Sequence, residues 1–270
     1  MRTSRSFPIL GAILALAACG ALSRPALAAD AAQVEAVKQA LQLAVNQGDI
    51  DGMLAARGRF DAISVAEPEN ALLHYWVAVC DWRVAPYFMP EEKKAKGKRW
   101  VAEGIARAGR AYEIDPKFAE ALALRCGLQG LAIQFDPSQA MKLGIQAESD
   151  LNHARDLAPG NPRVLLLDGI NTLYKPGFIG GGAGPALKKF ERAQALFAGE
   201  TVTDPAAPDW GKDDVYVWAG RAAVRAGDYR GARGYYQKAL AANPENGWVK
   251  RSLLPEVEKK LAPGGAKASS

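Results

Sequence analysis

Histidine is scarce in this chain, with only His74 and His153 among 270 residues. A zinc site needs three or four converging ligands, and neither histidine has a second His or a Cys at ligand spacing. No metal site is expected, and each histidine reads as a helix-surface or interhelix residue. Cysteine is nearly as rare. Besides Cys19 there are Cys80 and Cys126, which form no CxxC and no paired spacing. They read as two buried thiols packed like small apolar groups, although an oxidising compartment would permit a bridge. HExxH, GxSxG and SxxK are absent, as are segments that alternate polar and apolar residues. The acid pair Asp213-Asp214 sits in a loop and reads as helix-capping. With no nucleophile, base or metal constellation, neither enzymatic activity nor a cofactor is expected.

What is present begins at the N-terminus. Arg2 and Arg5 precede an apolar run, Phe7 to Leu22, and Ala26-Leu27-Ala28 follows as a small-x-small cleavage site. Together these mark residues 1–28 as an export signal. The run is shorter than the ~20 apolar residues of a membrane span. Leu16-Ala17-Ala18-Cys19-Gly20 also resembles a lipobox, which would make 1–18 the signal and Cys19 the lipidated N-terminus. Both patterns are well formed. Either carries the protein to the periplasm, free or held by a lipid anchor. Removing Arg2, Arg5 and Arg24 leaves 31 of the 34 basic residues against 29 acidic ones, a net charge of +2 instead of +5. That balance gives little ground for a nucleic-acid partner.

The mature chain is organised by repeats. In Asp213 to Pro244, Tyr216, Ala219, Gly220 and Ala223 form one helical stripe, and Ala232, Tyr236 and Ala239 form a second. Gly227-Asp228 makes the turn between them, and Asn243-Pro244 ends the unit. A near-absent side chain at Gly220 lets the facing helix approach closely, with large rings filling the space beside it. The ending Ala-x4-Pro recurs at Ala111 to Pro116, Ala154 to Pro159 and Ala239 to Pro244. Gly127 and Gly169 sit where Gly220 does, and Ala186, Phe190 and Ala193 repeat the second stripe. Gln47-Gly48-Asp49 mimics Ala226-Gly227-Asp228, which places a degenerate unit at the N-terminus.

This pattern resembles the tetratricopeptide repeat, whose units run about 34 residues. Ala219 and Ala223 are smaller than the Leu and Tyr usual there. Spacing is longer as well: 43 residues from Pro116 to Pro159 and 51 from Gly169 to Gly220. The surplus falls within pairs at Ala85–Arg99, Gln134–Ser138 and Lys175–Gly184, and between two pairs at Gly199–Lys212. The resemblance is to exported bacterial members of the family. The segment from Asn161 through the Tyr174–Gly184 loop to Ala193 is similar to a subgroup in which a helix runs into a Pro/Gly loop. A looser similarity is to the lipoprotein T component of TRAP transporters. The resemblance implies an all-α, right-handed superhelical array of four or five antiparallel helix pairs with enlarged intra-pair loops. It would span residues 30–260, with a disordered tail at 261–270.

Candidate partner-binding residues follow from that expectation. The concave face of such an array is lined by the first helix of each pair, where Arg125, Asn171, Arg221 and Arg225 are polar. Trp82 to Trp100 reads either as an aromatic partner-binding lip or as an insertion folded down on the first repeats. The Gly180–Gly184 stretch reads either as an amide cradle for an anion or as a tight reversal packing Phe178 between helices. Its lack of a Gly-Lys-Ser/Thr ending favours the reversal. Function is expected to be that of a non-catalytic periplasmic scaffold whose groove takes a protein or peptide partner of the envelope. The alternative is a small-ligand-binding accessory of an envelope transporter, with a cleft lined by Trp76, Trp82, Tyr174 and Trp218. Oligomeric state is not fixed by the sequence.

Overall fold

The computed structural model describes residues 31–262. The export signal, the lipobox with Cys19 and residues 263–270 of the expected tail lie outside the described residues. Among those described there are eleven α-helices and no strand. Five adjacent pairs form: α1 (Ala31–Gln47) with α2 (Ile50–Ala66), α3 (Ala71–Val84) with α4 (Lys94–Ile114), and α5 (Ala119–Phe135) with α6 (Ala140–Leu157). They continue with α7 (Pro162–Tyr174) and α8 (Ala183–Ala198), then α9 (Asp214–Arg225) and α10 (Tyr229–Ala242). A last helix, α11 (Leu254–Leu261), follows a π-helical turn at Val249–Leu253 and takes in Leu261, the first residue assigned to the tail. No described helix is long and apolar enough to cross a membrane.

The turns explain the repeat. Gly48 and Gly227 adopt positive φ, +71° and +78°, and Asp49 and Asp228 then cap α2 and α10 by accepting from the amides of Gly52 and Gly231. Glycine reaches that region without a Cβ clash, and the acid satisfies an orphan amide at the helix start. Between pairs, a residue before proline is held extended because the proline ring crowds its helical conformation. Glu67, Asp115, Ala158 and Asn243 are the residues so held, and each closes the same turn by accepting from the amide three residues on. Pro68 makes the first of these turns; Ile63 occupies the place where the other three have alanine.

Within pairs, ring-into-glycine packing sets the spacing. An ideal Cβ on Gly220 would stand 2.3 Å from a Tyr236 ring carbon, and one on Gly169 would stand 2.4 Å from Phe190. Tyr236 and Phe190 are accordingly buried, each between its two stripe alanines, Ala232 and Ala239 or Ala186 and Ala193. Gly127 plays a different part. Its nearest neighbours are Leu167 of α7 and Trp82 of α3, so it spaces first helices from one another. Tyr216 is half-buried against the core.

The enlarged loops are shorter than expected, because helix absorbs their ends: α4 starts at Lys94 and α8 at Ala183. Replacing Gly220 or Gly169 by Ala is expected to cost about 1–3 kcal/mol through overpacking. Gly130→Ala, with nothing within 4 Å of the added methyl, is expected to be neutral or stabilising by up to about 1 kcal/mol. Urea unfolding of the three variants checks both signs.

Candidate functional site

Between α8 and α9 the chain makes no tight turn. Residues 199–213 form a strap that crosses against α1, α3 and α7, the first helices of three pairs. Lys38 of α1 donates to the carbonyls of Pro205 (2.5 Å) and Ala207 (3.0 Å) and pairs with Asp209 (3.1 Å). Trp76 of α3 donates its indole N–H to the Ala206 carbonyl at 2.8 Å. Trp210 inserts its ring against Trp82 (centroids 5.4 Å apart) and donates to the buried Tyr75 hydroxyl at 3.0 Å. Arg163 of α7 holds the Trp210 carbonyl (2.9 Å) and pairs with Glu200 and Glu120. Gly211, at φ +109°, turns the strap toward α9, whose first residue Asp214 receives two hydrogen bonds from Arg83.

The first helices of three pairs therefore grip a stretch of their own chain. A cleft of ≈ 230 Å³ remains beside the strap, lined in part by Lys38, Trp76, Arg83 and Trp210. That is below the roughly 300–1,000 Å³ of drug-sized ligand sites, while a second, shallower and more open hollow of ≈ 610 Å³ runs along the strap at Glu35, Thr201, Asp204 and Lys212.

The array also closes on itself. Asn243 donates to the Asn46 side chain (2.9 Å), and Arg251 donates to the Gln47 carbonyl (2.7 Å). The first and last pairs are thus joined at the α1–α2 turn.

This arrangement divides the expected site residues. Trp76 and Trp82 are buried beside the strap, whereas Tyr174 and Trp218 meet each other at the end of α7. Arg57 and Arg99 both lie over the Trp100 ring, at 4.6 and 4.9 Å. Arg125 is tied to Asp150 by two hydrogen bonds, at 2.7 and 2.5 Å. The Ala85–Lys93 insertion folds down, with Phe88 buried and a Phe135 ring filling the notch at Gly97.

His74 is buried between the Pro68 carbonyl and Arg107, whereas His153 is exposed on α6 against Tyr112. No metal-holding group of His, Cys, Asp and Glu occurs among the described residues. Cys80 and Cys126 are free and buried, and burial pushes both thiols up.

The glycine loop matches neither reading in full. Gly180, Gly181 and Gly182 spend their amides on the carbonyls of Gly177, Pro176 and Thr172, so they form a reversal and no anion cradle. Yet Phe178 does not pack into a groove. It is 90 % exposed at the loop tip, because the single turn Gly177–Ile179 that carries it projects from the reversal with no helix packed against it.

Four expected residues do converge. Tyr174, at the end of α7, meets Trp218 of α9 edge-on at 6.2 Å and accepts a 2.9 Å hydrogen bond from Arg221. Arg225 lies over the Tyr174 ring at 5.6 Å. Arg221 lies over Trp218 (4.5 Å) and over Trp248 (5.1 Å), and Trp248 is 41 % exposed. Asn171 is half-buried one turn before Tyr174. Trp248 escaped the sequence reading because it follows the Pro244 stop and belongs to no stripe.

Stacking on rings and the want of an acid coincide at this shelf. Arg57, Arg83, Arg107, Arg125, Arg155 and Arg163 each pair with a carboxylate. Arg221 and Arg225 pair with none among the described residues; Arg59, Arg192, Arg230 and Arg251 also lack an acid, but of these six only Arg221 and Arg225 lie over aromatic rings.

No protein-family model and no curated protein matches the chain. Among solved structures it is similar to the HusA haemophore from Porphyromonas gingivalis. The TM-score is 0.60 at 21% identity, covering 71% of this chain and 93% of that one. It is also similar to a thermophilic TPR protein of Thermus thermophilus. There the TM-score is 0.55 at 16% identity, covering 83% of this chain and 98% of that one. At such identities the likeness is one of fold, a TPR-like helical array.

Trp210 anchors the strap, so Trp210→Ala is expected to cost about 3–5 kcal/mol. It should also release the segment, seen as faster tryptic cleavage after Lys212. Unchanged cleavage would mean the charged pairs alone hold the strap.

Proposed function

We propose that the protein is a non-catalytic, exported binding scaffold that engages a protein partner through the shelf of Tyr174, Trp218, Arg221, Arg225 and Trp248. The observation that carries this is the pair of unneutralised guanidinium groups stacked on partly exposed rings. Arg, Trp and Tyr are the residues that concentrate interface energy. The strap fills the groove on α1, α3 and α7, which leaves the α7–α9 end as the surface offered to a partner. The TPR-like fold supports the reading, since such arrays serve as interaction platforms. The export-signal pattern supports a place in the cell envelope.

A small-ligand carrier, such as an accessory of an envelope transporter, is the second reading. It draws on the fold shared with a haemophore and on the open aromatic shelf.

Crosslinking of the mature protein in intact envelopes tests the first reading, with Cys19→Ser run alongside for localisation. One defined complex is expected, its recovery falling roughly tenfold in the Arg221→Gln/Trp248→Ala variant, as for a central interface pair. A wild-type protein that crosslinks to nothing and elutes as a monomer would transfer the case to the small-ligand reading.

A further inference from the structure

Resting on the scaffold reading, we infer that the partner segment is acidic and amphipathic, setting carboxylates on Arg221 and Arg225 and apolar side chains on the neighbouring loop tip. Arg221 stacks against two indoles and already gives one N–H to Tyr174. What it still presents is the edge of its guanidinium fork, which matches a carboxylate by two parallel hydrogen bonds. Stacking also fixes the side chain in advance, so less rotamer freedom is lost on binding. Arg225, held over Tyr174, adds a second positive charge from the same helix face one turn on.

The apolar half of the surface adjoins it. Tyr174 leads directly into the loop whose tip carries Phe178 and Ile179, both exposed. Lys175, at the root of that loop, pairs with Glu148 of α6. Met141 and Ile145 lie on the same stripe of α6 as Glu148, at i, i+4 and i+7, the stripe that Lys175 ties to the loop's root. They are 82 % and 69 % exposed. Bare Phe, Ile and Met side chains grouped on one side are the usual mark of an interaction surface. Because Glu148 is taken up by Lys175, the free charge beside this patch is positive. A segment with carboxylates next to Leu, Ile or Phe complements both parts. A lipid phosphate would fit the same fork, and what decides for a protein segment is the pairing of arginine with Trp and Tyr, the composition that concentrates energy at protein interfaces.

The test is selection of a random peptide library on the full mature chain. Enriched peptides are expected to carry Asp or Glu within a turn or two of large apolar residues. Their binding should fall about tenfold or more in Arg221→Gln/Arg225→Gln. It should fall similarly in Phe178→Ser, whose bare side chain supports no packing. Arg221→Lys keeps the charge but loses the fork and should fall nearly as far. Circular dichroism confirms that each variant is folded.

Enriched peptides without acids, or binding indifferent to the arginine pair, would overturn the inference. So would an absence of enrichment together with binding to vesicles of equal phosphatidylcholine and phosphatidylglycerol. If the envelope complex forms and survives Arg221→Gln/Arg225→Gln, the scaffold stands and this inference falls. If wild type forms no complex at all, the scaffold reading itself falls.

Discussion

Trp210 is the contact on which the strap's place across the array depends. Its ring reaches Trp82, its indole N–H reaches Tyr75, and its carbonyl is held by Arg163, so one strap residue joins α3 to α7. A ring of this size, almost fully buried with its N–H satisfied, contributes several kcal/mol that no surface loop could supply. Around it, Lys38 and Trp76 hold backbone carbonyls of the strap much as a groove would hold an extended peptide. An open solenoid leaves its first helices free for a partner. Here the strap uses them, and the surface that remains lies at the end of α7.

Much of the array was legible in the sequence, for reasons local to the chain. A residue before proline is forced extended, a Gly-Asp pair makes a left-handed turn and a cap, and alanine stripes repeat with the helix period. Gly220 with Tyr236 and Gly169 with Phe190 could be paired because each ring sits at a fixed distance along the neighbouring helix. Gly127 shows the limit of that logic. It occupies the same register, but its neighbours come from helices two positions away, and register does not encode them.

The strap was visible only as surplus length. It is held by donors reaching main-chain carbonyls, and any residue but its anchor would offer the same carbonyl. The arginines carry a related lesson. Arg125 and Arg221 look alike in sequence, each polar on a first helix. Only the folded chain shows Asp150 beside one and no described acid beside the other.

That difference is a matter of free energy. Burial penalises charge, and it pushes the Asp81 carboxyl up to about 7 even with Arg57 2.5 Å away. Ion pairs inside the array therefore add less to stability than their number suggests, and act more to fix which helix faces which. Arg221 and Arg225 serve no such purpose. They stay partly solvated, lean on rings for support and keep donors unused. What sets these two apart from the other unpaired arginines is that each is held over a ring with donors to spare, an arrangement suited to a contact outside the fold. Phe178 supports the same conclusion from the apolar side. Three glycine amides are committed to a reversal that holds a phenyl ring in water, where burying it would stabilise the protein by about 1.5–3 kcal/mol. The bare ring costs the isolated chain something, it flanks the same helix end as the two arginines, and that cost would be offset once a partner covers it.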